Sequence, residues 1–161
     1  MSQQKLLIRV VEILELQGIP YMLTGSFASS LHGEPRASHD IDLVIQLAAA
    51  QVPTRKAAFP EPDFYLPEAA MREAIVHRSM FNLLSTTDGD KVDFWLLTET
   101  PFDRERFARR RPETILGRPV MTSTPEDTIL MKLRWCLDCG GNDQLGTDCF
   151  FRCHTYLYCD R

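Results

Sequence analysis

Apolar residues recur along the chain with two periods, and these periods predict helices that alternate with short strands. In the first predicted helix, residues 3–17, the apolar positions fall at helical spacing: Leu6, Leu7, Val10, Val11 and Leu14. Gly18 and Pro20 then predict the end of that helix. Short apolar runs predict strands over residues 21–24, 39–45, 81–86, 91–97 and 118–122. Further helices are predicted over residues 27–31 and 101–111, and near residues 66 and 124, where two more begin.

The last of these helices has a well-formed start signal. Thr124 is a capping residue, Pro125 takes the first helical position, and Asp127 supplies an acid three residues after the cap. We expect the apolar positions of this helix to face the core: Ile129, Leu130, Leu133 and Cys136.

Length and composition predict one globular domain. The chain has 161 residues, of which 44% are hydrophobic and 25% charged, and it contains no apolar run long enough to span a membrane. The first 17 residues carry Arg9 and Glu12 and lack a small-residue cleavage site, so we do not expect a signal peptide. A cytoplasmic location is therefore expected. The net charge of -4 argues against indiscriminate binding to nucleic acid.

The candidate chemistry lies in residues 21–45, where a strand turns into a helix and a second strand follows. Asp40 and Asp42 are one residue apart on that second strand, so both carboxylates leave the same face. Two acids side by side repel each other, and a bound divalent cation removes that repulsion. Hard oxygen ligands of this kind suit Mg²⁺.

Gly25 and Ser26 occupy the turn from the first strand into the helix. Glycine lets the backbone approach a ligand closely, and the free N–H groups of a helix N-terminus favour a phosphate. The alternative is an ordinary strand-to-helix turn in which Ser26 caps the helix. The nearby pair of aspartates favours the phosphate interpretation.

This order of elements resembles the polymerase-beta-like nucleotidyltransferase superfamily. The resemblance rests on Gly-Ser, a helix, and Asp-x-Asp followed by apolar residues, and it covers about residues 1–135. It is nearest to small bacterial members, including abortive-infection and toxin-type nucleotidyltransferases. It implies an α/β (α+β) fold in which helices flank a small mixed β-sheet. It also implies Mg²⁺, with two ions, as cofactor and a nucleoside triphosphate as substrate.

Three further site residues come from this resemblance. Asp93, within an apolar strand, matches the third carboxylate, so Asp40, Asp42 and Asp93 are the predicted catalytic and metal-binding residues. The alternative for Asp93 is an ion pair with an arginine such as Arg36. Arg36 and Lys132 match cations near the triphosphate. The alternatives are a solvated loop arginine for Arg36 and a surface lysine for Lys132. Gly25, Ser26, Arg36 and Lys132 are thus the predicted nucleotide-binding residues.

Two basic or metal-ligating clusters lie outside this motif. The densest basic cluster is Arg104, Arg106, Arg109, Arg110 and Arg111, which either faces a nucleic-acid or triphosphate substrate or is a solvated helix face. All five cysteines lie in residues 136–161, which we treat as a tail separate from the 1–135 core. The spacings of Cys136 with Cys139 and of Cys149 with Cys153 allow a zinc site, and an ordinary reduced-thiol tail is the alternative.

The sequence leaves two functional hypotheses. The first is an Mg²⁺-dependent nucleotidyltransferase that moves a nucleoside monophosphate to a hydroxyl of an RNA, a protein or a small molecule. The second is a weak or inactive binding module on the same fold, such as a toxin–antitoxin-like component with a protein partner. No membrane partner is expected, and the oligomeric state stays open.

Overall fold

The computed structural model describes residues 3–32 and 40–138, which form helices around one sheet. The helices are α1 (Gln3–Leu16), α2 (Gly25–His32), α3 (Val52–Ala57), α4 (Glu68–His77), α5 (Pro101–Ala108) and α6 (Pro125–Asp138). The strands are β1 (Tyr21–Thr24), β2 (Asp40–Ile45), β3 (Phe64–Tyr65), β4 (Met80–Ser85), β5 (Lys91–Leu96), β6 (Arg111–Ile115) and β7 (Arg118–Thr122). No helix among the described residues combines the length and the apolar character that crossing a bilayer requires.

The seven strands make a single mixed sheet in the order β3-β4-β5-β2-β1-β7-β6. The neighbouring strands β2 and β5, in the middle of the sheet, run parallel to each other. Strand β1 is antiparallel to β2 and parallel to β7. The remaining neighbours pair antiparallel. The predicted α/β (α+β) class, with helices flanking a small mixed sheet, is therefore confirmed.

One face of the sheet carries the main hydrophobic core. Alternate residues of the central strands point to it, and the apolar side of α1 packs there together with α3 and α4. Phe81 of β4 and Phe94 of β5 stack there with ring centroids 5.0 Å apart. Burial of this face fixes the register of the strands, since a slip by one residue would turn every apolar side chain outward.

The opposite face is only partly covered. A small cluster of Met22, Val44 and Phe107 lies under α5, with Leu97 packed against it. The rest of this face carries polar side chains from β2, β4 and β5, which we call the open face. Carboxylates are tolerated there because the face is not sealed by apolar helices.

Several sequence-based boundaries need correction. The helix predicted over residues 101–111 ends at Ala108, and Arg111 begins β6, a strand that the sequence pattern did not reveal. The two-residue strand β3 was also missed. β6 is polar along most of its length and pairs only with β7, so it lacks the apolar run that marks a core strand.

The prediction that Leu130 and Leu133 face the core is wrong, because they are 48% and 38% exposed. Helix α6 instead turns Asp127 and Thr128 inward. Asp127 is held there by Arg109, whose Nη2 lies 2.7 Å from its Oδ1. This ion pair with Arg109, the residue that follows α5, stabilises a rotation of α6 that the apolar pattern did not predict.

Candidate active site

The three predicted carboxylates lie on the open face, on two neighbouring strands. Asp42 of β2 is the register partner of Asp93 of β5, and Asp40 pairs in the same way with Lys91. Because register partners in a parallel pair point to the same side, Asp40, Asp42, Lys91 and Asp93 share one face. Asp93 is buried, Asp42 is half-buried and Asp40, the first residue of β2, is exposed. The group of carboxylates therefore extends from the protein interior to the solvent.

Gly25 closes this group from the side of β1. Thr24, the last residue of β1, is the register partner of Asp42, and Gly25 follows it as the first residue of α2. Gly25 has φ +70°, and a Cβ added there would lie 2.0 Å from Asp42 Oδ2. Glycine is therefore required both by the backbone conformation and by the approach of Asp42. The predicted Gly-Ser turn does stand against the Asp-x-Asp strand.

Each carboxylate of the group has a protein partner. Lys91 Nζ lies 3.0 Å from Asp93 Oδ2 and 3.5 Å from Asp40 Oδ1, so one ammonium links two of the acids. Asn82 of β4 donates a hydrogen bond to Asp93 Oδ1. Trp95 Nε1 donates to Asp42 Oδ1 at 3.3 Å. The ion-pair partner of Asp93 is thus Lys91 on its own strand.

The electrostatics of the group depend on burial and on this crowding of charge. Burial raises the pKa of Asp42, the hydrogen bond from Trp95 opposes this rise, and the charges of Asp93 and Asp40 add to it. The hydrogen bond to Asp93 raises the pKa of Lys91 and keeps its ammonium charged. Among the described residues, the Lys91 ammonium lies against two of the three carboxylates, those of Asp40 and Asp93.

The donor chemistry of this group fits a divalent cation. Carboxylate oxygens from Asp40, Asp42 and Asp93 are hard ligands of the kind that Mg²⁺ prefers. Within residues 3–32 and 40–138, however, no three acidic, histidine or cysteine side chains converge on one metal position. Lys91, Asn82 and Trp95 contact the carboxylate oxygens instead. The three aspartate side chains must therefore rotate before they can share a cation.

The predicted phosphate-binding residues are divided by the structure. Gly25 and Lys132 line the same cleft beside the carboxylates, Lys132 from helix α6. Ser26 follows Gly25 in the first turn of α2. Arg36 lies outside the described residues, as do Cys139, Cys149, Cys153 and Cys159, so the zinc hypothesis for the tail stays a prediction.

The arginine cluster of residues 104–111 does not form one continuous basic face. Arg104 Nη2 lies 3.4 Å from Glu99 Oε2. Arg106 is buried, and its Nε lies 2.8 Å from Asp103 Oδ1. Arg109 pairs with Asp127, and the Arg110 guanidinium lies over the Phe107 ring. Contact with nucleic acid through this cluster stays a prediction.

Sequence reasoning missed four residues near the carboxylates, and it named Arg106 only as a member of the basic cluster. Lys91 and Trp95 lie two residues from Asp93 on the same strand, so the alternation of side chains could have placed them on its face. Asn82, Arg106 and Trp135 reach the region from other elements. Their position depends on strand pairing and helix packing, for which the sequence carries no local signal.

Comparison with known proteins gives the fold. No family model matches the chain, and no curated protein is similar to it in sequence. Among solved structures, the chain resembles the antibiotic-resistance factor ANT(2'')-Ia, a nucleotidyltransferase whose solution structure is known. The TM-score is 0.51 at 15% identity, over 96% of this chain and 84% of that one. At this identity the comparison supports the nucleotidyltransferase fold, and it does not extend to the toxin-type resemblance.

Proposed function

We propose that the protein is an Mg²⁺-dependent nucleotidyltransferase that moves a nucleoside monophosphate from a nucleoside triphosphate to a hydroxyl group. The observation that carries this proposal is the register pairing of Asp42 with Asp93 beside the turn at Gly25. Asp40 lies two residues along on the same face. A nucleotidyltransferase-like fold with acids at this position supports phosphoryl chemistry, and the fold by itself does not decide it.

The roles of the residues follow from their chemistry. Asp40, Asp42 and Asp93 would hold the metal ions, which when bound would neutralise charge on the triphosphate and acidify the acceptor hydroxyl. Backbone N–H groups of Gly25 and Ser26 would bind phosphate oxygens at the N-terminus of α2. Lys132 lines the same cleft and would offset the charge of the phosphates.

The reaction balances without any further reagent. The acceptor hydroxyl oxygen forms a bond to the α-phosphorus, and the bond from that phosphorus to the bridging oxygen of the β-phosphate breaks. Pyrophosphate leaves with the electron pair of that bond. Asp93 accepts the hydroxyl proton and passes it to water. Positioning and charge neutralisation supply most of the acceleration in such transfers.

Removal of one carboxylate tests the proposal. With Mg²⁺, each of the four α-labelled triphosphates and a cell extract that supplies RNA, proteins and metabolites, the wild type should transfer label to an acceptor. Asp42→Asn should lower the rate about 100-fold or more, because it removes charge where the triphosphate is held. Asp63→Asn is the control, since Asp63 is exposed and directly precedes β3, the edge strand that lies three strands from β2. Equal labelling by wild type and Asp42→Asn contradicts the proposal.

One observation favours a second candidate, a nucleotide-binding module without catalysis. Lys91 already supplies a cation to Asp40 and Asp93, and the carboxylates do not converge on one metal position among the described residues. Such a module would bind a triphosphate, or a protein partner as in a toxin–antitoxin-like pair, without releasing pyrophosphate. Calorimetric binding of triphosphate without any labelled product in the assay above would favour this candidate.

A further inference from the structure

A cleft of about 240 Å³ opens beside the carboxylates, and most of its lining takes no part in the metal and phosphate roles described above, which use only Gly25 and Lys132. It lies between β5, α5 and α6, and Gly25, Trp95, Arg106, Lys132 and Trp135 are among the residues that line it. Trp95 also donates its indole N–H to Asp42. The cleft therefore includes the turn at Gly25 and adjoins Asp42 through Gly25 and Trp95.

Two tryptophans from different elements line this cleft. Trp95 comes from β5 and Trp135 from α6, and their ring centroids lie 6.4 Å apart with the planes inclined at 43°. The two side chains remain 36% and 40% exposed. Indole rings offer large flat apolar surfaces, and such rings are the common stacking platforms for nucleic-acid bases.

Arg106 adds a buried hydrogen-bond donor to the lining. The residue is 6% exposed, and its Nε is held by Asp103 Oδ1 at 2.8 Å. Its Nη1 is buried and has no hydrogen-bond partner within the part of the chain that the structure describes. An unpartnered guanidinium N–H is costly inside a protein, and a ligand oxygen or ring nitrogen would satisfy it.

The charge of the cleft restricts what can enter it. Among the described residues, Arg78, Arg106, Lys132 and Arg134 line it, and Asp103 is the one acid that does. The Asp103 carboxylate already accepts hydrogen bonds from Thr98, Thr100 and Arg106. A polycationic ligand would meet repulsion here, whereas an electron-rich planar ring would meet cations and aromatic faces.

We propose that this cleft is the nucleobase subsite of the transferred nucleotide. The base stacks on Trp95 and Trp135 and accepts a hydrogen bond from Arg106, while the phosphates extend toward Gly25 and the carboxylates. This assignment rests on the proposed function, since it takes a nucleoside triphosphate as the substrate. It also means that the acceptor approaches the carboxylates from outside the cleft.

Binding measurements with and without the base test the subsite. GTP, ATP, CTP, UTP and inorganic triphosphate are titrated calorimetrically into the wild type, with Mg²⁺ present. The nucleoside triphosphates should bind roughly 5- to 100-fold more tightly than inorganic triphosphate, the difference that stacking of one base supplies. They should also quench tryptophan fluorescence, and inorganic triphosphate should not.

Variants locate the effect in the cleft. Trp135→Ala should remove most of the advantage of the nucleoside triphosphates and leave the affinity for inorganic triphosphate unchanged, while Trp135→Phe should retain much of it. Leu133→Ala is the matched control, because Leu133 is exposed on the same helix and does not line the cleft. Arg106→Lys keeps the charge beside Asp103 and should weaken only the base-containing ligands.

The subsite is overturned if inorganic triphosphate binds as tightly as the nucleoside triphosphates, or if Trp135→Ala binds them like the wild type. This outcome is separate from the fate of the proposed function. Transfer of label by a protein whose Trp135→Ala variant binds normally would refute the subsite alone. Binding that depends on the base and on Trp135, without transfer, would refute catalysis and retain the subsite.

Discussion

Gly25 shows how a single residue can serve both a backbone turn and the close approach of another side chain, that of Asp42. We expect Gly25→Ala to lose about 1–3 kcal/mol of unfolding free energy, because φ is +70° and the new Cβ would lie 2.0 Å from Asp42 Oδ2. Gly89→Ala is the control, since Gly89 has φ +74° and no atom within 4 Å of an added Cβ. Urea denaturation gives the stabilities, and Mg²⁺-dependent triphosphate binding should fall for Gly25→Ala alone. Equal binding losses in both variants would mean that the contact with Asp42 has no role.

Lys91 is the second residue whose substitution should have a measurable effect on metal binding, since its ammonium lies within 3.5 Å of both Asp40 and Asp93. We expect Lys91→Met to bind Mg²⁺ roughly 2- to 10-fold more tightly, because a competing cation is removed from two partly exposed ion pairs. Without metal the variant should melt at a lower temperature, since the carboxylates then repel each other. Lys56→Met, which breaks the exposed pair with Glu61, is the control. Weaker Mg²⁺ binding by Lys91→Met would show that the lysine supports the metal site.

At the scale of elements, helix α6 depends on its first turn. Thr124 Oγ1 accepts a hydrogen bond from the Asp127 N–H at 3.2 Å and donates to Asp127 Oδ2 at 3.1 Å. We expect Thr124→Ala to lose about 1 kcal/mol of unfolding free energy because this cap is removed. Thr124→Ser keeps the hydroxyl and should lose much less. Urea denaturation distinguishes the two, and equal losses would assign the effect to the methyl group.

The strands illustrate why the positions of strands along the chain were easier to predict than the pairing of strands within the sheet. The alternation in residues 39–45 and the apolar run in residues 91–97 mark β2 and β5, which begin and end within one residue of the predicted bounds. Nothing local states that these two strands are neighbours in parallel register. That pairing places Asp42 beside Asp93. It follows from the burial of both strands against the same core.

At the scale of the whole molecule, two buried acids bind α5 into the fold and predict acid sensitivity. Burial by itself would raise the pKa of Asp103, but hydrogen bonds from Thr98 and Thr100 and the pair with Arg106 lower it. The hydrogen bond from Arg109 lowers the pKa of Asp127. A lowered pKa in the folded state stabilises the protein above the unfolded value, near 4, and this stabilisation is lost as pH falls through the folded value. Asp42, whose pKa is raised, acts in the opposite direction.

We therefore expect the free energy of unfolding to fall as pH is lowered from about 5 to 3. In this range the unfolded chain binds protons at these carboxylates more readily than the folded protein does. Arg109→Gln should flatten this dependence, since Asp127 then loses the hydrogen bond that lowers its pKa. Arg104→Gln is the control: Arg104 lies in α5, five residues before Arg109, and its partner Glu99 is exposed, so the slope should stay unchanged. Urea denaturation at several pH values measures the slopes. A slope that is the same in Arg109→Gln and wild type contradicts the assigned role of Asp127.

The sequence by itself determined most of the elements, the open-face acids Asp40 and Asp42, and the glycine turn beside them. These features are encoded locally, in the periodicity of apolar residues and in the requirements of a tight turn. Tertiary structure decided the rest: the partners Lys91 and Asn82, the burial of Arg106, the rotation of α6 and the cleft between Trp95 and Trp135. Each of these depends on contacts between residues far apart in the chain. Such contacts are selected by the packing of the whole core and leave no periodic trace in the sequence.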